Sequence, residues 1–332
     1  MIPRLTLYLL LTRIAERVPG RLQTMSEITE NERVRVGIEI CSIGLRAASV
    51  LPNGRVGLTK TVETSGPAET YDRLADLITD LRGTVGDLKE IGIAVPGLVN
   101  REAGKIEYSA LMPEQAKVDL VKNIADSTGI VATLENDANA AAWGEYRLGA
   151  GRGSDDLFYA TLGEGVGGAF ILGGKLWHGA SGFAGEFGYV PINSEGMKLE
   201  EVASAANIIR RTKSRFHTDS TSSLNNLREE SIRLDDIISA ARAHDDFAQM
   251  MLGRTGVYVG TAIASVINLL NVGKIIVGGD IMEAKDLVLN AIVSRARELS
   301  FIPAFQATKI VAGELGAYAA AAGAALLPDE LS

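Results

Sequence analysis

L-E-N-D-A-N-A-A-A-W-G-E-Y-R-L-G, residues 134–149, reads as the end of a buried strand running directly into a helix, with Asp137 at the junction. Residues 130–134 have the β-branched character of a strand. Ala140, Ala141, Trp143, Tyr146 and Leu148 then recur at helical spacing until Gly149 and Gly151 stop the helix. Asp137 is therefore expected in the first helical turn. The plainer reading of an Asp there is an N-terminal cap. The sharper one is a general base aimed into a cleft, with Asn136 and Asn139 supplying amides that hold a hydroxylated ligand, which a cap does not need.

Outward from this junction the chain repeats itself. Upstream, residues 34–40, 45–51 and 56–62 read as three antiparallel strands, the last two joined by a P-N-G turn at 52–54. An amphipathic helix at 68–81 follows Pro67, and a wholly apolar strand at 91–95 ends in Pro96-Gly97. A glycine turn at the end of such a strand is a usual ligand position in an open α/β sheet. Downstream, residues 157–162, 168–172 and 175–177 form a second meander, with Gly173-Gly174 as a tight turn. Helices are expected at 201–214 and at 235–252 continuing through 256–270. A strand at 274–277 closes on Gly278-Gly279, a short strand occupies 310–312, and an alanine-rich helix spans 318–326. The Ser, Thr and Asn-rich residues 218–226 read as a mobile loop. Two such halves suggest duplicated α/β domains facing one another across a cleft, a favoured ligand site.

Composition excludes several classes. A net charge of −8 and a pI near 5.1 leave no basic footprint, so no direct nucleic-acid partner is expected. The single cysteine, Cys41, allows neither an internal disulfide nor a multi-thiolate metal site, and a reducing cytoplasm is the simplest compartment. The apolar run at 5–11 is too short to span a bilayer and meets Arg13 without a small-residue cleavage site, so neither membrane insertion nor secretion is expected. Residues 1–32 read as a dispensable extension, with Met25 as a second possible start.

T-L-G-E-G-V-G-G-A, residues 161–169, contains G-x-G-x-x-G at Gly163, Gly165 and Gly168, yet the chain continues as strand where a dinucleotide fingerprint needs a helix. What remains is a hairpin whose backbone N-H groups can hold an anion, or one whose glycines serve only positive φ. Glu186, within G-A-S-G-F-A-G-E-F-G-Y-V, has no sequence neighbour to pair with, which leaves solvent or a polyhydroxylated ligand. Glu200 and Glu201 either do the same or complement a helix dipole.

Together, E-N-D-A-N-A-A (135–141), L-G-E-G-V-G-G (162–168), G-K-L-W-H-G-A-S-G-F-A-G-E-F-G (174–188), I-V-G-G-D (276–280) and E-L-G (314–316) resemble the ROK family, named for repressors, open reading frames and kinases. The resemblance runs in order over residues 34–327. It implies duplicated actin-like (ribonuclease H-like) ATPase domains: a small α/β domain at 33–132, completed by the C-terminal helix at 314–328, and a large one at 133–313. It implies an ATP-dependent kinase acting on a hexose or N-acylhexosamine, usually at O6, or a non-catalytic sugar-binding sensor. In the kinase reading Asp137 is the general base and Gly97, Asn136, Glu186, Tyr189 and Glu200 meet the sugar. Glu39, Gly163, Glu164, Gly165, Gly167, Gly168, Gly278 and Gly279 face ATP, with Mg held through ATP and Glu39. A homodimer is the family's expectation.

Four departures bear on this. The family's first phosphate loop is close to G-x-D-x-G-G-T, whereas residues 37–43 read G-I-E-I-C-S-I, keeping a carboxylate at Glu39 and losing both glycines and the threonine. Glu164 stands where a hydroxyl residue is usual; its charge repels phosphates if it points into the pocket, the alternative being that it turns outward to solvent. The family's zinc ligands are absent, with Tyr189 in place of the His and I-N-S-E-G-M-K in place of the thiolates. Y-S-A-L-M-P-E-Q lacks the usual Asn-Leu and Trp beyond the Pro-Gly loop. The altered loop favours a sensor; the intact Asp137 block and the lack of helix-turn-helix spacing before Val34 favour a kinase. Elemental analysis should find no stoichiometric zinc, chelators should leave the melting temperature unchanged, and a chain starting at Met25 should melt with the full-length one.

Overall fold

The computed structural model describes residues 33–101, 103–109, 112–114 and 118–330; the expected extension at 1–32 and part of Y-S-A-L-M-P-E-Q lie outside the described residues. Strands β1 (Arg35–Cys41), β2 (Gly44–Val50) and β3 (Val56–Glu63) form an antiparallel meander, and β4 (Glu90–Val95) adds to β1 in parallel. β5 (Leu98–Asn100) and β6 (Lys105–Tyr108) make a separate small hairpin. β7 (Val131–Asn136) then joins β4 in parallel, giving the order β3-β2-β1-β4-β7. β8 (Leu157–Leu162), β9 (Val166–Leu172), β10 (Lys175–Trp177), β11 (Lys274–Gly278) and β12 (Lys309–Ala312) repeat the pattern as β10-β9-β8-β11-β12, again with two parallel strands after the meander. The duplication read from the strand pattern is present in the topology. β7 pairs with β4 as far as Asn136.

Each lobe buries its own apolar cluster. In the first, α1 (Pro67–Val85) lays Leu74, Leu77, Ile78 and Leu81 on the sheet, and α2 (Leu120–Thr128) contributes Leu120 and Ile124. In the second, α4 (Glu200–Ala203), α5 (Ala205–Lys213), α6 (Leu234–Arg242), α7 (Asp246–Leu270) and α8 (Asp286–Leu299) enclose Ile208, Ile237, Val259, Ile263 and Ile292. A short α9 spans Ile302–Ala307. Helix α7 is long and apolar enough to cross a membrane, but it buries Phe247, Met251, Leu252, Val259, Ile263 and Ile267 inside this lobe.

Two expectations are corrected here. The helix expected to run from 235 to 270 breaks at His244, which adopts φ 65, because Asp245 restarts the chain as the cap of α7 by accepting from Ala248 N at 3.0 Å. The loop expected to be mobile at 218–226 is folded: Asp245 also accepts from Ser222 Oγ, Ser223 N and Ser223 Oγ, and Leu224 is buried beneath them.

The alanine-rich α10 (Ala319–Ala324) crosses α3 (Asp137–Leu148) and lies on the first sheet. Contact is backbone to backbone. A Cβ at Gly37 would strike the Ala321 carbonyl, one at Gly92 the Ala324 carbonyl, and one at Gly323 the Ala140 carbonyl. Buried Glu145 on α3 ties the approach to this helix by accepting from Ala150 N, Glu314 N and Leu315 N at 2.8–3.1 Å. Gly323→Ala should therefore destabilise by about 3 kcal/mol or more in denaturant titrations. Gly83→Ala, in open space on α1, should be neutral or stabilise by about 0.5–1 kcal/mol.

Candidate active site

Asp137 opens α3 at the edge of the first sheet, but it is not the cap. Asn136 holds that position, with extended backbone (φ −62, ψ 145), and its Oδ1 accepts from Asn139 N at 3.1 Å. The Asn136 Nδ2 donates to the Gly97 carbonyl at 2.9 Å and to Asp137 Oδ1 at 3.0 Å, and Ala138 N donates to the same Asp137 oxygen at 2.9 Å. Asp137 is partly buried, and burial pushes its pKa up to about 6, opposed by these hydrogen bonds and helped by the nearby charge of Glu186. A carboxylate with one fixed oxygen and a pKa near neutrality is suited to accept a proton.

Asn136 has both amide hydrogens engaged, leaving one lone pair on Oδ1 for a ligand. Asn139 does not face a ligand: it is buried and donates to Glu135 Oε1 at 3.0 Å. Gly97 is held at φ +116, with the Tyr108 carbonyl where a Cβ would stand, so only glycine presents its carbonyl to Asn136 this way. Glu186 is exposed, its pKa raised by burial of its surroundings and by Glu200. Glu200 is committed in part to the glycine hairpin, accepting from Val166 N at 2.9 Å. Tyr189 lies one turn beyond Glu186, 59% exposed, with Lys198 Nζ 3.9 Å above its ring. No contact joins its phenol to Asp137 or Glu186 among the described residues.

The glycine hairpin turns between Leu162 and Val166, which pair across β8 and β9, and Gly163 N donates to the Gly165 carbonyl at 3.0 Å. None of Gly163, Gly165, Gly167 and Gly168 has positive φ, so that reason for glycine is removed. Close approach is the reason instead: Cβ atoms at Gly167 and Gly168 would meet Ala138 at 3.2 Å and Phe158 at 2.7 Å. Glu164 sits at the exposed tip, where water screens its charge and weakens the expected repulsion of phosphate. Gly278 packs on the Tyr159 hydroxyl, and Gly279 (φ +90) packs on Leu162, which brings Asp280 to about 4 Å from where a Gly163 Cβ would be.

Facing this hairpin from the first lobe is Glu39. Burial raises its pKa to about 8 against the pull of Arg46, with Asp137 and Asp280 raising it further, and its Oε2 is buried without a hydrogen-bond partner. Arg46, directly opposite on β2, lies 3.8 Å from Glu39 Oε2, 3.4 Å from Asp280 Oδ1 and 3.3 Å from the Ala317 carbonyl. Sequence reading missed Arg46, although a Glu and an Arg each alone in an apolar strand were a usable signal. The altered phosphate loop is a two-residue turn, Ser42-Ile43, closed by Gly44 at φ +129. Burial, then Glu39, raises the Cys41 thiol to about 12, so it is inert near neutral pH. No group of three or more His, Cys, Asp or Glu is placed to hold a metal ion among the described residues.

This geometry has known counterparts. The ROK family pattern matches residues 35–330. The glucokinase of Thermotoga maritima is 31% identical, over 89% of this chain and 97% of its own. The xylose repressor of Bacillus subtilis is 28% identical, over 92% of this chain and 79% of its own. A ROK family glucokinase from Streptomyces griseus, solved in complex with glucose and AMPPNP, superposes with a TM-score of 0.78 at 29% identity, covering 89% of this chain and 98% of its own. The chain belongs to the ROK family and has the actin-like ATPase fold.

Proposed function

We propose that this chain is an ATP-dependent sugar kinase that phosphorylates a hydroxyl of a hexose or N-acylhexosamine, O6 being the favoured position, with Asp137 as general base. The observation that carries the reading is the state of Asp137: freed from capping by Asn136, oriented by two donors, and raised to about 6. Glu186, Glu200 and Asn136 supply acceptors for sugar hydroxyls around it, and Gly97 orients Asn136. The hairpin at Gly163–Gly168 and the Gly278-Gly279 turn border the phosphate and nucleotide side. Arg46 brings a guanidinium suited to phosphate oxygens.

Mg fits as a companion of ATP. The buried Glu39 Oε2, without a hydrogen bond and only 3.8 Å from Arg46, with Asp137 and Asp280 adding negative potential, suits a hard cation that keeps most of its waters and takes one or two carboxylates. When bound, the ion would neutralise phosphate charge, while the chain positions the hydroxyl and removes its proton.

A sensor without phosphoryl transfer is the second reading, favoured by the Ser42-Ile43 turn, where side chains stand in place of glycine backbone. ATP turnover against a panel of hexoses and N-acylhexosamines decides between them: turnover of none of the panel, with sugar still bound, removes the kinase.

Asp137→Asn should cut turnover by about two to four orders of magnitude while leaving sugar affinity within about threefold. Unchanged turnover would sink the mechanism. Because the base works only when ionised, wild-type kcat/KM should climb as pH rises through about 6 and be lost below it. A midpoint near 4, the ordinary Asp range, would contradict the burial of this carboxylate.

A further inference from the structure

The catalytic reading makes no use of a second polar cluster, one residue before Asn136. Glu135 is the next-to-last residue of β7, with its side chain only 2% exposed. Its Oε1 accepts from Asn136 N at 2.9 Å and Asn139 Nδ2 at 3.0 Å, both in the turn into α3. Its Oε2 lies 2.9 Å from His178 Nε2 and 3.3 Å from Arg101 Nε. Burial works against the ionised form, but His178, Arg101 and Asn139 outweigh it and hold the Glu135 pKa below the usual range. A carboxylate only accepts, so His178 Nε2 carries the proton. The Arg101 guanidinium lies against the same ring, its Nη1 2.9 Å from Nε2 and 3.2 Å from Nδ1.

The three members come from three separate segments. Arg101 sits in the turn between β5 and β6, four residues after Gly97; Glu135 belongs to the first sheet; His178 follows β10 in the second lobe. The His178 carbonyl accepts from Ala184 N at 3.0 Å, closing a short loop whose Gly179 (φ +72) and Gly185 (φ +98) aim the chain toward Glu186. Gly185 packs directly on the Gly168 backbone. Three segments that carry proposed sugar contacts, at Gly97, Asn136-Asp137 and Glu186, are thus each adjacent to one member of the cluster.

We propose that Arg101, Glu135 and His178 are positioning residues: a strut across the lobe boundary that sets the Glu186 loop against Asn136 and Asp137 and so governs sugar binding selectively. Glu135 is the pivot, because its two oxygens hold the Asp137 turn on one side and the sugar loop on the other. Removing His178 leaves a buried carboxylate short of a donor and lets the loop shift, while the nucleotide side, built on β1, β8 and β11, is untouched.

The proposal rests on the sugar-binding part of the proposed function, not on phosphoryl transfer. Calorimetric titration of the hexose and N-acylhexosamine panel, and separately of MgATP, is made on wild type, His178→Ala, His178→Gln and Arg101→Met, with melting temperatures alongside. His178→Ala should weaken the best-bound sugar about tenfold or more and leave MgATP within about twofold. His178→Gln, whose amide N-H reaches toward Glu135, should return sugar affinity to within about threefold of wild type. Arg101→Met should lose sugar affinity in the same selective way, and it carries the test if His178→Ala does not fold. Unchanged sugar affinity, equal loss of sugar and MgATP, or a Gln variant no better than Ala would overturn the strut. Sugar binding without ATP turnover in the wild type removes the kinase and leaves this test standing; no binding of any sugar removes both.

Discussion

A helix made wholly of alanine and glycine crosses the alanine-rich first half of α3 with backbones touching, and the position of Asp137 depends on that crossing. Gly323 of α10 lies against the Ala140 carbonyl of α3, and Gly37 and Gly92 let α10 lie against β1 and β4. Side chains at these points would push α3 away from the first sheet. The residue that begins α3 would move with it, and a displacement of about 1 Å at a reacting group is costly. Buried Glu145, accepting three backbone N-H groups from the segments at either end of the crossing, removes the polar cost of bringing those turns inside.

Burial also sets the electrostatics of the cleft. Glu39 comes from β1, Asp137 from the helix start just after β7 of the same sheet and Asp280 from the other lobe; burial raises the Glu39 pKa, and Asp137 and Asp280 raise it further. One guanidinium, Arg46, offsets part of this, at distances of 3.3–3.8 Å that leave its donors loosely held. A negative pocket only partly offset by Arg46 and lined on one side by backbone amides is suited to a ligand that brings its own cation, as a nucleotide does. The carboxylate proposed as a base and the one suited to a cation therefore differ in surroundings more than in type. Asp137 is held by short hydrogen bonds, whereas Glu39 Oε2 has none.

The repeated topology explains why the parts of the site lie far apart in sequence. In each lobe a meander carries a turn toward the cleft, Cys41–Gly44 in one and Leu162–Val166 in the other, and the parallel strands β7 and β11 end there as well. Ligand positions at the ends of parallel strands follow from the sheet arrangement. The insertions that differ between lobes, the β5–β6 hairpin and the loop after β10, meet at Arg101 and His178.

Much of this was legible along the chain because it depends on local period and spacing. Strand alternation gave both meanders, the E-N-D-A-N-A-A block placed Asp137 at a helix start, and five ordered motifs carried the family. What the sequence could not determine is set by contacts between distant residues. Whether Asn136 or Asp137 caps α3 depends on the Gly97 carbonyl, 39 residues away, which binds the Asn136 amide. The break at His244 and the ordering of 218–226 depend on Asp245 bonding to Ser222 and Ser223, over 20 residues distant. The glycines of 163–168 were legible as a hairpin, but the reason for Gly167 and Gly168, close approach of Ala138 and Phe158, exists only once α3 and β8 pack. Glu39 and Arg46, or Glu135, Arg101 and His178, carry no shared local period. Desolvation and charge pairing act through space, so only the folded chain decides which ionisable groups meet and how far each is driven from its ordinary state.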